Sequence, residues 1–96
     1  MNAEQMKAKI ETKCLEICKF LLDKNKNYGN SAAEPSTIFS DLSPIEGVKL
    51  RIDDKLKRIK NQKKNPGNDK EDTVRDLIGY LILYEILLDD GKEVTK

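Results

Sequence analysis

The sequence predicts an all-α fold built from three principal helices, and three observations indicate it. Apolar residues recur every three or four positions in three separate segments, which is the period of an amphipathic helix. Aromatic residues, which favour strands, make up only 5% of the chain, whereas 36% of the residues are charged. Clusters of Gly, Pro and Asn separate the three segments. We expect a single domain over 1–96 with helices at about 3–25, 43–62 and 69–90 and a long loop over 26–42.

The first helix is predicted from an apolar stripe whose members recur at intervals of three or four residues. The stripe consists of Met6, Ile10, Cys14, Ile17 and Leu21, widened by Leu15, Cys18 and Leu22. Gly29 follows the helix and is expected to adopt a positive φ. Cys14 and Cys18 are expected to be reduced thiols in the core, the alternative being half of a four-thiolate zinc site shared between two copies.

The loop and the second helix carry two local signals. Pro35 to Phe39 could form one helical turn, with Ile38 and Phe39 pinning the loop to the core. Ser43, Pro44 and Glu46 have the spacing of a capping box, which predicts the start of the second helix. The buried stripe of that helix is expected to consist of Ile45, Val48, Ile52, Leu56 and Ile59.

The third helix is predicted to begin near Asp69 and to end near Asp90, with Gly91 as its C-cap. Its middle, 77–88, is apolar nearly all round, so two neighbouring helices cannot cover it. Exposed apolar patches of this kind usually mark interfaces. The sequence therefore predicts a homodimer or a higher homo-oligomer through 77–88.

Composition excludes several function classes. The chain has 18 basic and 17 acidic residues, a net charge of +1 and no His, which removes Ser/His/Asp triads and His-ligated zinc. No apolar run is long enough for a membrane span, so we expect a soluble, cytoplasmic protein. Basic residues over 55–64 belong to an amphipathic helix without stacking aromatics, and a nucleic acid partner is not expected.

The second helix places charged side chains beside its apolar stripe. Arg51, Asp54, Lys55 and Arg58 lie at i, i+3, i+4 and i+7 and therefore share a face. One interpretation is a solvated face with ion pairs worth about 0.3–0.5 kcal/mol each. The other is an anion site, in which Lys55 and Arg58 hold phosphate while Asp54 orients them or binds a metal.

Two further acids lie on the third helix. Asp72 is explained as a first-turn acid that complements the helix dipole, but Asp76 lies deeper in the helix, beside the apolar run. Mg²⁺ typically takes one or two protein carboxylates together with substrate phosphates. Asp54, Asp72 and Asp76 are therefore the candidate metal ligands and Mg²⁺ the candidate cofactor.

Glycines suggest where other parts of a site could lie. Gly79 costs about 1 kcal/mol relative to Ala in a helix, which indicates close approach of another helix. Tyr28 and Asn30 flank Gly29 in a loop that could recognise a base or a sugar, although a Tyr before a Gly is also typical of a core anchor.

Three short segments give the sequence a family resemblance that covers roughly 20–88. They read Lys24-x-Lys26-x-Tyr28-Gly29-Asn30-Ser31, Ile52-Asp53-Asp54-Lys55-Leu56-x-Arg58-Ile59 and Asp72-x-x-x-Asp76-Leu77-Ile78-Gly79-Tyr80. In their order and spacing they resemble small phage and mobile-element proteins of the nucleotide modification associated domain 1 family, which is similar in outline to the all-α MazG-like nucleotide pyrophosphohydrolases.

The resemblance implies a helical domain that handles nucleotides. It implies roles for Tyr28 in the loop, for Asp54, Lys55 and Arg58 in the central helix, and for Asp76 in the last helix. MazG-like enzymes carry a Glu-x-x-Glu pair followed by Glu-x-x-Asp, whereas the acids here read Asp53-Asp54 and Asp72-x-x-x-Asp76.

Two hypotheses follow. The first is a phage-type or prophage-type protein that binds or hydrolyses nucleotides, in which Asp54 and Asp76 are catalytic and Tyr28, Asn30, Lys55 and Arg58 bind the substrate. A pyrophosphohydrolase of this kind would use Mg²⁺. The second is a non-enzymatic phage-encoded interaction protein or inhibitor that acts on a host protein complex.

Overall fold

The computed structural model describes residues 1–27, 29–35, 38–64 and 72–94. Three helices follow one another along the chain: α1 (Ala3–Asn27), α2 (Pro44–Lys64) and α3 (Thr73–Val94). The all-α prediction with three helices is therefore confirmed. In the described ranges no helix is both long enough and apolar enough to cross a membrane.

Helix α1 is closed at both ends by local hydrogen bonds. At its start Gln5 N donates to Asn2 Oδ1 at 2.9 Å, and Asn2 N donates to Gln5 Oε1 at 3.0 Å, a reciprocal cap. At its end Gly29 has a φ of 62°, as the sequence predicts, and Asn30 also lies in the left-handed region at 63°. The Asn30 amide can then reach back to the Asn25 carbonyl at 3.0 Å, which ends the helix.

Helix α2 begins at the predicted cap. Glu46 N donates to Ser43 Oγ at 3.3 Å, so Ser43 satisfies one of the free amides of the first turn. Gly47 N donates to the Ser43 carbonyl at 3.0 Å, which closes the first helical turn. The Glu46 carboxylate accepts a hydrogen bond from Lys49 Nζ at 3.3 Å.

Helix α3 differs from its predicted bounds. Asp76 N donates to the Asp72 carbonyl at 2.8 Å, which places Asp72 at the N-cap, and the predicted start near Asp69 lies outside the described residues. The predicted C-cap at Gly91 is wrong, because α3 continues through it to Val94. Gly91 lacks the positive φ that such a cap requires.

Helices α2 and α3 form an antiparallel hairpin, and α1 packs against α3. Gln62 Nε2 donates to Thr73 Oγ1 at 3.3 Å where the hairpin closes. Helix α1 approaches α3 at Gly79, where an added Cβ would lie 3.3 Å from Leu21 Cδ1. The close approach that Gly79 predicts is therefore confirmed.

The core is small and lies at these two contacts. Among the described residues the buried side of the fold consists of Ile17, Val48, Thr73 and Gly79. Helix α1 meets α3 only through its second half, so the first half of its predicted stripe is exposed.

The predicted burial of that first half is wrong. Met6, Ile10 and Cys14 are exposed. The residues predicted to widen the stripe are exposed as well, namely Leu15, Cys18 and Leu22, and both cysteines are free thiols. An amphipathic pattern shows which side of a helix faces the core, but it does not show how many turns of that helix a neighbouring helix covers.

Three further residues that were predicted to pack in the core are also exposed. Leu56 is 50% exposed because the side of α2 that faces α3 carries Lys55 at that level. Ile38 and Phe39 are fully exposed and do not pin the loop, since Ala32 and Pro35 make the loop's inward contacts instead. Two residues of the predicted turn over 35–39, Ser36 and Thr37, lie outside the described residues.

Candidate anion-binding site

A cleft of about 970 Å³ is lined by the second half of α1, the loop, residues 44–58 of α2 and the first half of α3. Ligand pockets in proteins typically have volumes of about 300–1,000 Å³, so a nucleotide-sized molecule fits. Its charged lining comes from all three helices. These charged residues are Lys24 of α1, then Arg51, Asp54, Lys55 and Arg58 of α2, and finally Asp76 of α3, with Asp72 at its N-cap.

Asp76 is the point at which the three helices are joined by charge. Lys24 Nζ lies 3.1 Å from its Oδ1, and Lys55 Nζ lies 3.4 Å from its Oδ2. The side chains of Asp76 and Lys55 are only 11% and 13% exposed. Charge pairs with so little water around them interact more strongly than pairs on the open surface. Asp76 therefore ties α1 and α2 to α3 at the floor of the cleft.

The α2 face carries the remaining charge. Arg51, Asp54 and Arg58 are exposed and line the same cleft as the half-buried Lys55. Four basic side chains thus converge with three acidic ones, and Asp76 is already paired with two of the basic ones. Arginine guanidinium groups can donate paired hydrogen bonds to phosphate oxygens, and Arg51 and Arg58 bring two of them to the lining of the cleft.

One wall of the cleft is aromatic. Lys24 Nζ lies 5.1 Å and Arg75 Cζ 5.8 Å from the centre of the Phe20 ring, which are cation–π distances. Tyr80 of α3 also lines the cleft. These rings give the site an apolar surface beside its cationic groups.

Arg75 in turn reaches α1 on the outer side. Its Nη2 lies 3.3 Å from Glu16 Oε2, and Lys13 Nζ lies 2.9 Å from the same oxygen. The hydrogen bond and charge of Lys13, followed by the charge of Arg75, hold the pKa of Glu16 below its ordinary value of 4.5. This group helps to fix the crossing of α1 over α3.

The structure brings five of the predicted site residues into this cleft. They are Asp54, Lys55, Arg58, Asp72 and Asp76. Asn30 lies in the turn after α1 and is not among the lining residues, and Tyr28 lies outside the described residues.

Lys24 and Phe20 are functional candidates that the sequence analysis did not single out. Lys24 continues the Ile17 and Leu21 stripe at the next helical interval, so its spacing places it on the side that faces α3. That spacing is the signal that could have identified it.

The carboxylates predicted as magnesium ligands are those of Asp54, Asp72 and Asp76. The part of the chain that the structure describes holds no group of three or more His, Cys, Asp or Glu side chains close enough to share a metal. Each carboxylate oxygen of Asp76 also has a lysine ammonium beside it. A cation bound there would have to displace both lysines.

The arrangement can neutralise a polyanion and can offer a ring face to a planar group. It presents two exposed arginines beside two lysines that are paired with Asp76.

Comparisons of the chain with protein-family models, with characterised proteins and with solved structures found no match.

Proposed function

We propose that the protein binds a nucleotide in this cleft, with the phosphates on α2 and the base against the aromatic wall. The observation that carries the proposal is the convergence of Lys24, Arg51, Lys55 and Arg58 on one cleft of nucleotide size. Three of these four lie on the α2 face at the spacing that the sequence analysis singled out. Nucleotide handling by a phage-type protein is also what the resemblance to the nucleotide modification associated domain 1 family implies, and membership of that family is part of the proposal.

Arg51 and Arg58 are the residues that contact the phosphates. They are two helical turns apart on α2, about 10 Å along its axis, so their long side chains can reach a polyphosphate from both sides. Lys24 and Lys55 lie below them and supply positive charge without being free to move, because Asp76 pairs with both. Charge that is fixed before the ligand arrives costs less to organise on binding.

Tyr80 supplies the ring surface for the base, because the Phe20 ring is already contacted by Lys24 and Arg75. Stacking on aromatic side chains contributes about 1–3 kcal/mol per base and tolerates different bases. We therefore expect the phosphates to contribute most of the binding free energy and the residues at the rim of the cleft to determine any preference among bases.

Binding, rather than hydrolysis, is the activity that the geometry supports best. Each oxygen of the predicted catalytic carboxylate Asp76 has an ammonium group beside it, so a metal ion would have to compete with both lysines for it. Mg²⁺ enters the proposal as the ion that accompanies the phosphates, with Asp54 and Asp72 as the exposed carboxylates beside it.

The test is a binding screen with matched variants. Each common nucleoside triphosphate and its deoxy form is added with and without Mg²⁺, thermal stability identifies the ligand, and calorimetry gives its Kd. Arg51→Gln and Arg58→Gln should each weaken binding about 10- to 100-fold, since a hydrogen bond to a charged group contributes about 1.5–3 kcal/mol. Lys57→Gln is the control, because Lys57 lies beside Arg58 in sequence but does not line the cleft.

The outcomes separate binding from turnover and from no binding. Release of pyrophosphate that Asp54→Asn abolishes would add hydrolysis to the function. A Kd that Arg58→Gln and Lys57→Gln change equally would contradict the phosphate site.

Self-association through 77–88 is the second element of the proposal. Leu81, Ile82, Ile86 and Leu88 on α3 are exposed, which is unusual for four large apolar residues in one short segment. The same exposure favours the alternative function, a phage-encoded interaction protein that covers this surface with a host protein. The two are distinguished by the mass of the purified protein, because a homo-oligomer covers the surface without any other partner.

A further inference from the structure

The apolar strip that joins α1 to α3 continues along α1 beyond their contact. Ile17 and Leu21 lie on this strip within the chain, Ile17 buried and Leu21 half-buried. Met6, Ile10 and Cys14 lie on the same side of the helix at intervals of three and four residues, and all three are exposed. We call the exposed residues 3–14 the arm.

Helix α3 also carries exposed apolar residues beyond its contact with α1. Arg75 and Gly79 face α1, as the ion pair with Glu16 and the contact with Leu21 show. Ile82 and Ile86 continue that side of α3 at intervals of three and four residues and are 37% and 55% exposed. We call these two residues the free strip.

We propose that two copies of this chain exchange these surfaces, so that the arm of each copy packs on the free strip of the other. Within one chain α1 and α3 pack together through apolar side chains, and the contact between the copies would join the same two helices through side chains of the same kind. A two-fold axis makes both contacts at once and leaves neither surface open, as in other isologous dimers. The exchange rests on the proposed self-association and is independent of the ligand in the cleft.

Charge at the borders of the two surfaces fits the same pairing. Lys7 stands three residues before Ile10 on the arm and is exposed, and Lys13 stands three residues after it, where it also pairs with Glu16 of the same helix. Asp89 and Asp90 stand three and four residues after Ile86, and both are exposed. Basic borders on one surface and acidic borders on the other favour arm against free strip over arm against arm.

The surface area of the chain agrees with a missing partner. The accessible surface is 7967 Å², about 2,300 Å² more than the roughly 5,600 Å² expected of a compact monomer of 11.0 kDa. The radius of gyration is 15.8 Å, where a compact chain of this length has about 12.5 Å. Two copies therefore carry an excess of about 4,600 Å² together, and interfaces of obligate homodimers bury about 2,000–5,000 Å² over both partners, so the excess is of the size that a dimer covers.

The experiment measures mass by light scattering after size exclusion. The wild type should elute at twice the monomer mass of 11.0 kDa. Ile10→Lys on the arm and Ile86→Glu on the free strip should each elute at the monomer mass. Leu56→Lys is the matched control, because Leu56 is similarly exposed on α2, away from both surfaces, and this variant should stay dimeric.

Mixing the two broken variants tests the exchange itself. Ile10→Lys and Ile86→Glu proteins together should regain a dimer, because one contact then joins Lys to Glu and the other joins the two native isoleucines. Failure of the mixture to dimerise would overturn the exchange. If a variant loses its helical circular dichroism as a monomer, the melting temperature of the wild type decides instead: it should rise over a roughly 100-fold increase in concentration, and a constant value would overturn the dimer.

Two results separate this inference from the broader proposal. A wild type that is monomeric contradicts both the exchange and the self-association through 77–88. A dimer that survives Ile10→Lys and Ile86→Glu but is lost in Leu81→Lys contradicts only the exchange.

Discussion

Replacement of Asp76 by Asn removes the charge that joins the three helices while keeping the size of the side chain. In the native protein this carboxylate lies 3.1 Å from Lys24 Nζ and 3.4 Å from Lys55 Nζ. After the replacement two ammonium groups face each other across a neutral amide. The native state should therefore lose stability, although no apolar contact is removed.

The size of the loss follows from how much water reaches each partner. Breaking a fully buried pair costs about 3–5 kcal/mol, and breaking an exposed one costs about 0–1 kcal/mol. Asp76 and Lys55 are 11% and 13% exposed, whereas Lys24 is 41% exposed and adds little. We expect the free energy of unfolding to fall by about 2–3 kcal/mol, which lies between the two limits and corresponds to about 10–20 °C in melting temperature.

Urea unfolding followed by circular dichroism measures this loss directly. Asp54→Asn is the matched control, since Asp54 is an exposed acid of the same cleft and its change should stay within about 0.5 kcal/mol. A double-mutant cycle with Lys55→Met should give a coupling of at least about 1 kcal/mol. Equal, small effects of Asp76→Asn and Asp54→Asn would refute the view that Asp76 ties the helices together.

Three further predictions concern the helix contacts and their ends. Gly47→Ala should raise the unfolding free energy by about 0.5–1 kcal/mol, because the added methyl group meets open space. Gly79→Ala should raise it less, because its methyl group would lie 3.3 Å from Leu21 Cδ1. Chemical denaturation of the two variants measures both changes. Ser43→Ala should cost about 0.5–1 kcal/mol through loss of the α2 cap, in the same assay. The hydrogen bond and charge of Lys13, followed by the charge of Arg75, lower the pKa of Glu16 from 4.5, so its ion pairs stabilise the protein above pH 4.5 and are lost as the pH falls through the lowered value. An NMR titration of the Glu16 carboxylate measures this pKa. An ordinary value would contradict the ion pairs.

Local signals in the sequence were enough to locate the helices. Ser43 and Pro44 fix the start of α2, and Gly29 fixes the end of α1, because caps and turns depend on a few neighbouring residues. Which turns of a helix become buried depends instead on parts of the chain that are distant in sequence. Ile10 and Ile17 have the same local pattern, yet only Ile17 meets α3.

The candidate site divides in the same way. The shared face of Arg51, Lys55 and Arg58 follows from helical spacing and could be predicted. The pairing of Lys24 and Lys55 with Asp76 joins three helices, so it depends on tertiary packing that spacing alone does not specify. That pairing shows that Asp76 also connects α1 and α2 to α3, a role that its position in the sequence did not indicate.

The most direct test of the proposed nucleotide site is an NMR titration of the labelled protein with each common nucleoside triphosphate and with inorganic triphosphate. We expect saturable shifts at the amides of Lys24, Arg51, Lys55 and Arg58 and at Gly79 on the cleft wall. Arg58→Gln should weaken these shifts and Lys57→Gln should not. Shifts confined to the arm, or none at millimolar ligand with and without Mg²⁺, would contradict a nucleotide site in the cleft.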